Sequence, residues 1–420
     1  MMRVMYLNPG GQLGGAETSL LAILASVRRA MPSWPLHLVA AAGGPLAARA
    51  EALGVSTCVL PFPPALARLG EHGAGGEGGR IRFAAQLGRA AVSVATYGAQ
   101  LRREIRRFRP DVIHTNGLKM HVLAAWSGGS RPLVWHLHDY LGSRPFTAKL
   151  LRWSASRCAI VVANSTSVAD DARAAIGKGL RIARVYNAVD LDRFSPRGEA
   201  ADLDRLAGLT PAPAGTVRIG LLATFARWKG HDAFLRAVAR LPRHVMCRAY
   251  VIGDAVYQTD GSQYRRAELE QLAASLGIAD RVGFTGFVVQ SDTALRALDI
   301  VIHASTAPEP FGLAIAEAMA CGRAVVVSQA GGAAELITAG VDALAHVPGN
   351  VEELAERMAT LATDAALRTR LSAAARNTAE RRFDLARLAR ELVPVYRSVV
   401  GASTCQPTTK GTKPEIPVEG

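Results

Sequence analysis

The sequence predicts an α/β protein of two doubly wound parallel-sheet domains facing a cleft, and three observations predict it. Short apolar runs such as Asp111-Val-Ile-His114, Ala159-Ile-Val-Val-Ala163 and Ala324-Val-Val-Val-Ser328 alternate with stretches of helical periodicity. The chain has 420 residues, room for two domains. The stretch Ser195 to Gly215, rich in Pro, Ala, Asp and Gly, separates one series of alternation from the next and reads as a linker with a short helix. In parallel sheets of this kind the ligand crevice lies at the carboxyl ends of the strands.

The first domain is expected over residues 1–194. Arg3 to Leu7 is a short strand, and Asn8-Pro-Gly-Gly-Gln-Leu-Gly-Gly-Ala-Glu17 turns from it into a helix over Thr18 to Ala30. Glycines there let the backbone approach a ligand and keep the helix start open. The spacing is not G-x-G-x-x-G, and no acid stands where a dinucleotide ribose would need one, which argues against NAD. Pro35 to Ala41, Ala47 to Leu53 and Ser56 to Leu60 continue the alternation, and the glycine-rich Gly70 to Gly79 reads as a mobile loop. Pro132-Leu-Val-Trp-His-Leu-His138-Asp139 is a strand whose end carries a histidine.

The linker is expected over 195–215 and a second domain over 216–383. Val217 to Leu222 opens it, followed by Arg227-Trp-Lys229-Gly230; Arg as a planar fork and Lys as a point charge both suit a diphosphate. Cys247 to Gly253 is another strand, Val351 to Phe383 reads as helices, and 384–400 as a final helix. Residues 401–420, polar and with three prolines, are expected to be disordered.

The chemistry is expected between His303 and Glu335. A strand Asp299 to His303 and a strand Ala324 to Ser328 flank a helix that begins near Leu313, after Pro310 and Gly312 break the chain. Backbone N–H groups from Phe311, Gly312 and Leu313 lack intrahelical partners and face the crevice, where an anion fits. Glu309 and Glu317 bracket that spot. Carboxylates repel phosphate but accept paired hydrogen bonds from vicinal hydroxyls, so the layout suits sugars on both sides of a diphosphate, as in a nucleotide sugar. Two acids at this spacing on an ordinary helix would simply face water.

Glu309-Pro-Phe-Gly-Leu-Ala-Ile-Ala-Glu317, followed by Gly331-Gly332 and Glu335, resembles the E-x7-E motif of the retaining GT-B glycosyltransferases of family 4. That resemblance implies two Rossmann-like domains, with Glu309 facing the transferred sugar, Glu317 on the nucleotide ribose and the intervening amides on the distal phosphate. It puts Gly14 and Gly15 near the donor diphosphate and acceptor, and His138 near the transferred sugar. Lys229 is implied as a diphosphate ligand. The family commonly has an Arg where this chain has Thr224, so Arg227 is expected to take over that duty. Asn187-Ala188-Val189-Asp190 is similar to the family's NGVD segment, with Ala188 in place of Gly, and Arg281 to Phe287 to the turn that approaches the base. The final helix is implied to cross back to the first domain.

The expected activity is transfer of a sugar, with retention, to an alcohol acceptor in polysaccharide, lipopolysaccharide or glycolipid synthesis, with no cofactor and no metal. Two rivals stay open: an epimerase or phosphorylase on the same fold, and a non-catalytic nucleotide- or lipid-binding module. The amino-terminal stretch lacks a signal peptide's pattern, no segment is apolar enough to span a bilayer, and five scattered cysteines suggest neither metal site nor disulfide framework, so a cytoplasmic place is expected. A net charge of +14 calls for an anionic partner, and no nucleic-acid motif accompanies it. Arg80, Arg82, Arg89, Arg102, Arg103, Arg106, Arg107 and Arg109 cluster in one helical stretch. It reads either as a helix on the inner, anionic membrane face, which would fit a lipid-linked or polysaccharide acceptor, or as a solvated basic face packed on a sheet.

Overall fold

The apolar runs assemble into two parallel sheets, each wound on both faces with helices. The computed structural model describes residues 1–67, 79–255 and 262–404. In the first domain the strands are β1 (Val4–Asn8), β2 (Leu36–Ala40), β3 (Ser56–Val59), β4 (Val112–Asn116), β5 (Leu133–Leu137), β6 (Cys158–Ala163) and β7 (Ile182–Arg184), in spatial order β3-β2-β1-β4-β5-β6-β7. Its helices are α1 (Gly15–Ala30), α2 (Pro45–Ala52), α3 (Pro64–Ala67), α4 (Gly79–Phe108), α5 (Leu118–Ser127), α6 (Pro145–Ser154) and α7 (Thr166–Ile176). A short linker helix, α8 (Leu203–Leu206), precedes the second domain.

There the strands are β8 (Val217–Leu222), β9 (Cys247–Ile252), β10 (Val282–Gly286), β11 (Ile300–His303), β12 (Ala324–Ser328) and β13 (Leu344–His346), in order β10-β9-β8-β11-β12-β13. The helices are α9 (His231–Arg240), α10 (Arg266–Ser275), α11 (Ser291–Arg296), α12 (Leu313–Ala320), α13 (Val351–Thr363), α14 (Ala365–Arg382) and α15 (Leu385–Thr404). Strands β1, β4, β5 and β12 are buried at every residue, as expected where helices cover both faces of a parallel sheet.

Strand order reverses between β1 and β4 in one sheet and between β8 and β11 in the other. Crossovers leave in opposite directions at such a point and open a crevice beyond the strand ends. Asn8 and Asn116 close β1 and β4 at the first switch point, and His303 closes β11 at the second. The folding rule therefore delivers polar strand-end residues to both crevices.

The chain passes between domains twice. Val189 N–H donates to Phe383 O at 2.7 Å where the two crossings meet. Beyond it, α15 packs Leu388, Leu392, Tyr396 and Val399 into the first domain's core with Val4, Tyr6, Leu20 and Leu24. The helix runs to Thr404, four residues into the segment expected to be a tail; residues 405–420 and the loop 70–78 lie outside the described residues. Ala188 fits its turn because the turn does not demand a left-handed residue: among the described residues Arg109 alone of the non-glycines has positive φ.

Candidate active site

Glu309 lies in the loop between β11 and α12 and is buried, yet its carboxylate is fully engaged. Lys229 Nζ donates to Oε1 at 2.6 Å; His303 Nε2 and Ser305 Oγ donate to Oε2 at 2.7 and 2.9 Å. Burial by itself raises a carboxyl pKa, but here the Lys229 charge and the His303 donor outweigh it and hold Glu309 well below the usual carboxylate range. His303 and Ser305 are held in turn, because His346 Nε2 bonds the His303 carbonyl at 3.2 Å and Ser328 Oγ donates to the Ser305 carbonyl at 2.5 Å.

Lys229 reaches this carboxylate from a tight turn after β8. Gly230, with φ of 77°, lets the turn press on the β11 loop: a Cβ there would lie 1.9 Å from the Ala304 oxygen. The ammonium also lies 4.2 Å from the Trp228 ring centroid. Arg227 is turned elsewhere, with its guanidinium 4.4 Å from the Tyr264 ring centroid and 3.4 Å from Glu268. Of the two cations expected at the diphosphate, Lys229 thus meets Glu309, while Arg227 meets Glu268 and Tyr264.

Helix α12 begins after Gly312, whose φ of 93° swings the chain into the first turn. The Phe311 side chain is buried against Tyr186 and Phe383, so only its backbone faces the question of a ligand. Among the described residues the N–H groups of Leu313 and Ala314 take no partner, the ordinary state of a helix's first turn. Glu317 follows inside the helix, buried, and no hydrogen bond or ion pair reaches its carboxyl among the described residues. Burial pushes it up to about 8, with Arg193 opposing and Asp292 adding. The two glutamates are therefore driven in opposite directions, Glu309 towards its ionised form and Glu317 towards its protonated one.

The first domain offers His138 across the cleft. Asn8 Nδ2 donates to Gly10 O and Glu17 Oε1 at 2.8 and 3.2 Å, and Asn116 Nδ2 donates to Asn8 Oδ1 at 2.7 Å, leaving Asn116 Oδ1 to accept from His138 Nε2 at 2.5 Å. That chain fixes the imidazole tautomer, with Nε2 protonated and Nδ1 an acceptor. Burial lowers His138 to about 4, so it is neutral across the physiological range. Gly14 belongs to the same network, its N–H donating to Glu17 Oε2 at 3.1 Å, and Gly15 has open space where a side chain would stand.

Sequence reading missed His303, Ser305, Asn8 and Asn116. One signal was available, since Asn8, Asn116 and His303 each end an apolar strand at the point where a parallel sheet presents its ligand side. The domains also meet beside Glu309, through Tyr140, Tyr186 and Glu335.

Two parallel-sheet domains with switch points turned to a common cleft define the GT-B class. Models of the families described as Glycosyltransferase Family 4 and Glycosyl transferases group 1 match residues 13–193 and 211–378, and the chain belongs to these glycosyltransferases. It is 30% identical over 226 residues to 2-deoxystreptamine glucosyltransferase of Streptomyces kanamyceticus, covering 53% of this chain and 56% of that one. It is 30% identical over 222 residues to the lipopolysaccharide core biosynthesis mannosyltransferase LpsB of Rhizobium meliloti, covering 51% and 60%. These alignments thus span little more than half of either relative. The crystal structure of Anabaena HepE in complex with UDP-glucose superposes with a TM-score of 0.76 at 27% identity, covering 95% of this chain and all of that one.

Proposed function

We propose that the protein transfers a sugar, with retention, from a nucleoside-diphosphate donor to an alcohol acceptor. One observation carries this reading: two buried glutamates flank the open start of α12, Glu309 held by Lys229, His303 and Ser305, and Glu317 with no hydrogen-bond partner for its carboxyl among the described residues. The layout suits a diphosphate on the Leu313 and Ala314 amides, a ribose on Glu317 and a hexose towards Glu309. Lys229 keeps N–H donors beyond the one given to Glu309 and would add charge where the leaving group gains it. UDP-glucose in HepE favours a uridine donor, and LpsB favours an acceptor in cell-surface polysaccharide or glycolipid synthesis.

In the reaction the bond from the anomeric carbon to the phosphate oxygen breaks, and the acceptor oxygen bonds the same carbon from the same face. The acceptor's proton passes to the departing diphosphate. Glu309 stabilises the positive charge that builds on the sugar, and neutral His138 offers Nδ1 to a sugar hydroxyl. Arg227, one of whose nitrogens lies 3.4 Å from Glu268, would supply a second cation for the diphosphate.

The test is Glu309→Ala assayed with UDP-, GDP- and ADP-sugars for transfer, donor hydrolysis and epimerised donor. Loss of turnover by at least about a hundredfold with an intact fold is expected; near-wild-type turnover would falsify the assignment, and epimerised donor would favour the first rival.

Helices α4, α5 and α6 pack side by side on one face of the first sheet. Tyr97, Leu101 and Ile105 fasten α4 to the core, while Arg102, Arg103, Arg106 and Arg107 lie on its outer side. Beside them Trp126 and Trp153, 50% and 71% exposed, pack edge to face at 5.4 Å, with Arg102 donating to the Trp126 carbonyl at 3.0 Å. Exposed indoles among arginines suit an anionic bilayer surface and hence a lipid-linked acceptor. No helix among the described residues is long and apolar enough to cross a membrane.

A further inference from the structure

The sequence motif around Glu309 continues into Gly331-Gly332 and Glu335, which the donor site does not use. In the structure these residues bind the first domain. Tyr140, two residues beyond His138, sets its hydroxyl within 3.1 Å of the Glu309 carbonyl, 2.9 Å of Ser167 Oγ and 3.3 Å of the Gly332 N–H. The Glu309 carbonyl can only accept, so the single Tyr140 proton goes to it, and the hydroxyl oxygen accepts from Gly332 and Ser167. Gly332 N–H donates to the same carbonyl at 2.7 Å. Both glycines are obligatory here: a Cβ on Gly331 would lie 2.3 Å from the Tyr140 oxygen, and one on Gly332 would lie 2.0 Å from the Pro310 oxygen.

One turn further on, Glu335 holds the start of α7. Its Oε2 accepts from Thr166 N–H at 2.8 Å and its Oε1 from Ser167 N–H at 2.7 Å, with the Tyr186 hydroxyl adding a bond at 3.0 Å. A carboxylate on two unpaired amides at a helix start is favoured by hydrogen bonding and by the helix dipole together. The second domain thus supplies a cap to a helix of the first, and the first supplies a hydroxyl to the loop of the second that carries Glu309.

We infer that Tyr140, supported by the Glu335 cap, is a positioning residue for Glu309: it fastens the Glu309 backbone to the acceptor-side domain and so sets the carboxylate relative to the His138 side of the cleft. The inference rests on Glu309 acting on the donor sugar as proposed above. Tyr140 does not touch substrate on this account. It acts through Glu309, and a misplacement of about 1 Å at such a group is enough to slow chemistry by about a hundredfold.

The experiment is Tyr140→Phe, which keeps the ring and removes the hydroxyl, measured alone and on the Glu309→Ala background. The expected result is a kcat at least about tenfold lower with a donor KM within about twofold, and no further loss of residual turnover when Glu309 is already Ala, since residues acting as a unit are not additive. Wild-type kcat, or the same fractional loss on both backgrounds, overturns it. A second measurement needs no turnover: amide hydrogen exchange at Thr166 and Ser167 should be at least about tenfold faster in Glu335→Ala than in the wild type. Equal exchange would remove the supporting cap. Should the wild-type protein turn over no nucleotide sugar, the proposed function fails, and the exchange result still reports whether the domains are joined here.

Discussion

At the scale of single residues, the informative contrast is between two glutamates on one short stretch that are driven in opposite directions. Glu309 is ionised by Lys229 and His303 despite burial; its lowered pKa contributes stability above the ordinary carboxylate range that is lost as pH falls. Removing the cation leaves a buried charge without its partner, so Lys229→Ala is expected to cost about 3–5 kcal/mol on thermal or denaturant unfolding. It should also weaken nucleoside-diphosphate binding more than nucleoside binding in calorimetry; equal losses would detach Lys229 from the phosphates. Glu317 carries the opposite sign. Its pKa is raised to about 8, so its contribution to stability is present at low pH and is lost as pH rises through that value. In the proposed site the ribose diol would bind the ionised carboxylate, so donor binding would release a proton. UDP-glucose affinity should therefore fall by about tenfold per pH unit below 8, and Glu317→Gln should abolish that slope. A slope unchanged in Glu317→Gln would place the ribose elsewhere.

At the scale of elements, the parallel strands and the loop and helix bearing the two glutamates were legible because their signals are local. An apolar run bounded by turn residues reads as a buried strand wherever it packs, and Pro310 with Gly312 marks the start of α12 without reference to anything distant. Arg227 shows where that stops. Its neighbour Lys229 points to Glu309, while Arg227 goes to Tyr264 and Glu268, which are fixed only once α10 has packed beside the turn. Tyr140 and Asn116 were invisible for the same reason, since their partners lie 169 and 108 residues away in sequence. One side of the arginine-rich helix enters the core through Tyr97, Leu101 and Ile105, while Arg102, Arg103, Arg106 and Arg107 are exposed on the other, beside the tryptophans of α5 and α6; whether that face meets a membrane is decided by vesicle binding. Sedimentation with vesicles containing phosphatidylglycerol should capture the protein, fall with added salt, and drop at least about fivefold in Trp126→Ser/Trp153→Ser. Equal capture by phosphatidylcholine vesicles, or by the double variant, would leave the helix layer a solvated surface.

At the scale of the molecule, both sheets reverse their strand order at a point that faces the cleft, and each contributes a held polar set there. The first domain's set runs from Glu17 through Asn8 and Asn116 to His138, and the second's from Ser328 through Ser305 and His303 to Glu309 and Lys229. Helix α15 returns across the boundary to the first core, and Tyr140 and Glu335 tie the rims beside Glu309, so the two sets are placed by the whole architecture. The most direct measurement is the crystal structure of the protein with UDP. The diphosphate is expected within hydrogen-bond distance of the Leu313 and Ala314 amides and of Lys229, with the ribose hydroxyls on Glu317. A diphosphate bound away from the start of α12, with Glu317 untouched, would contradict it.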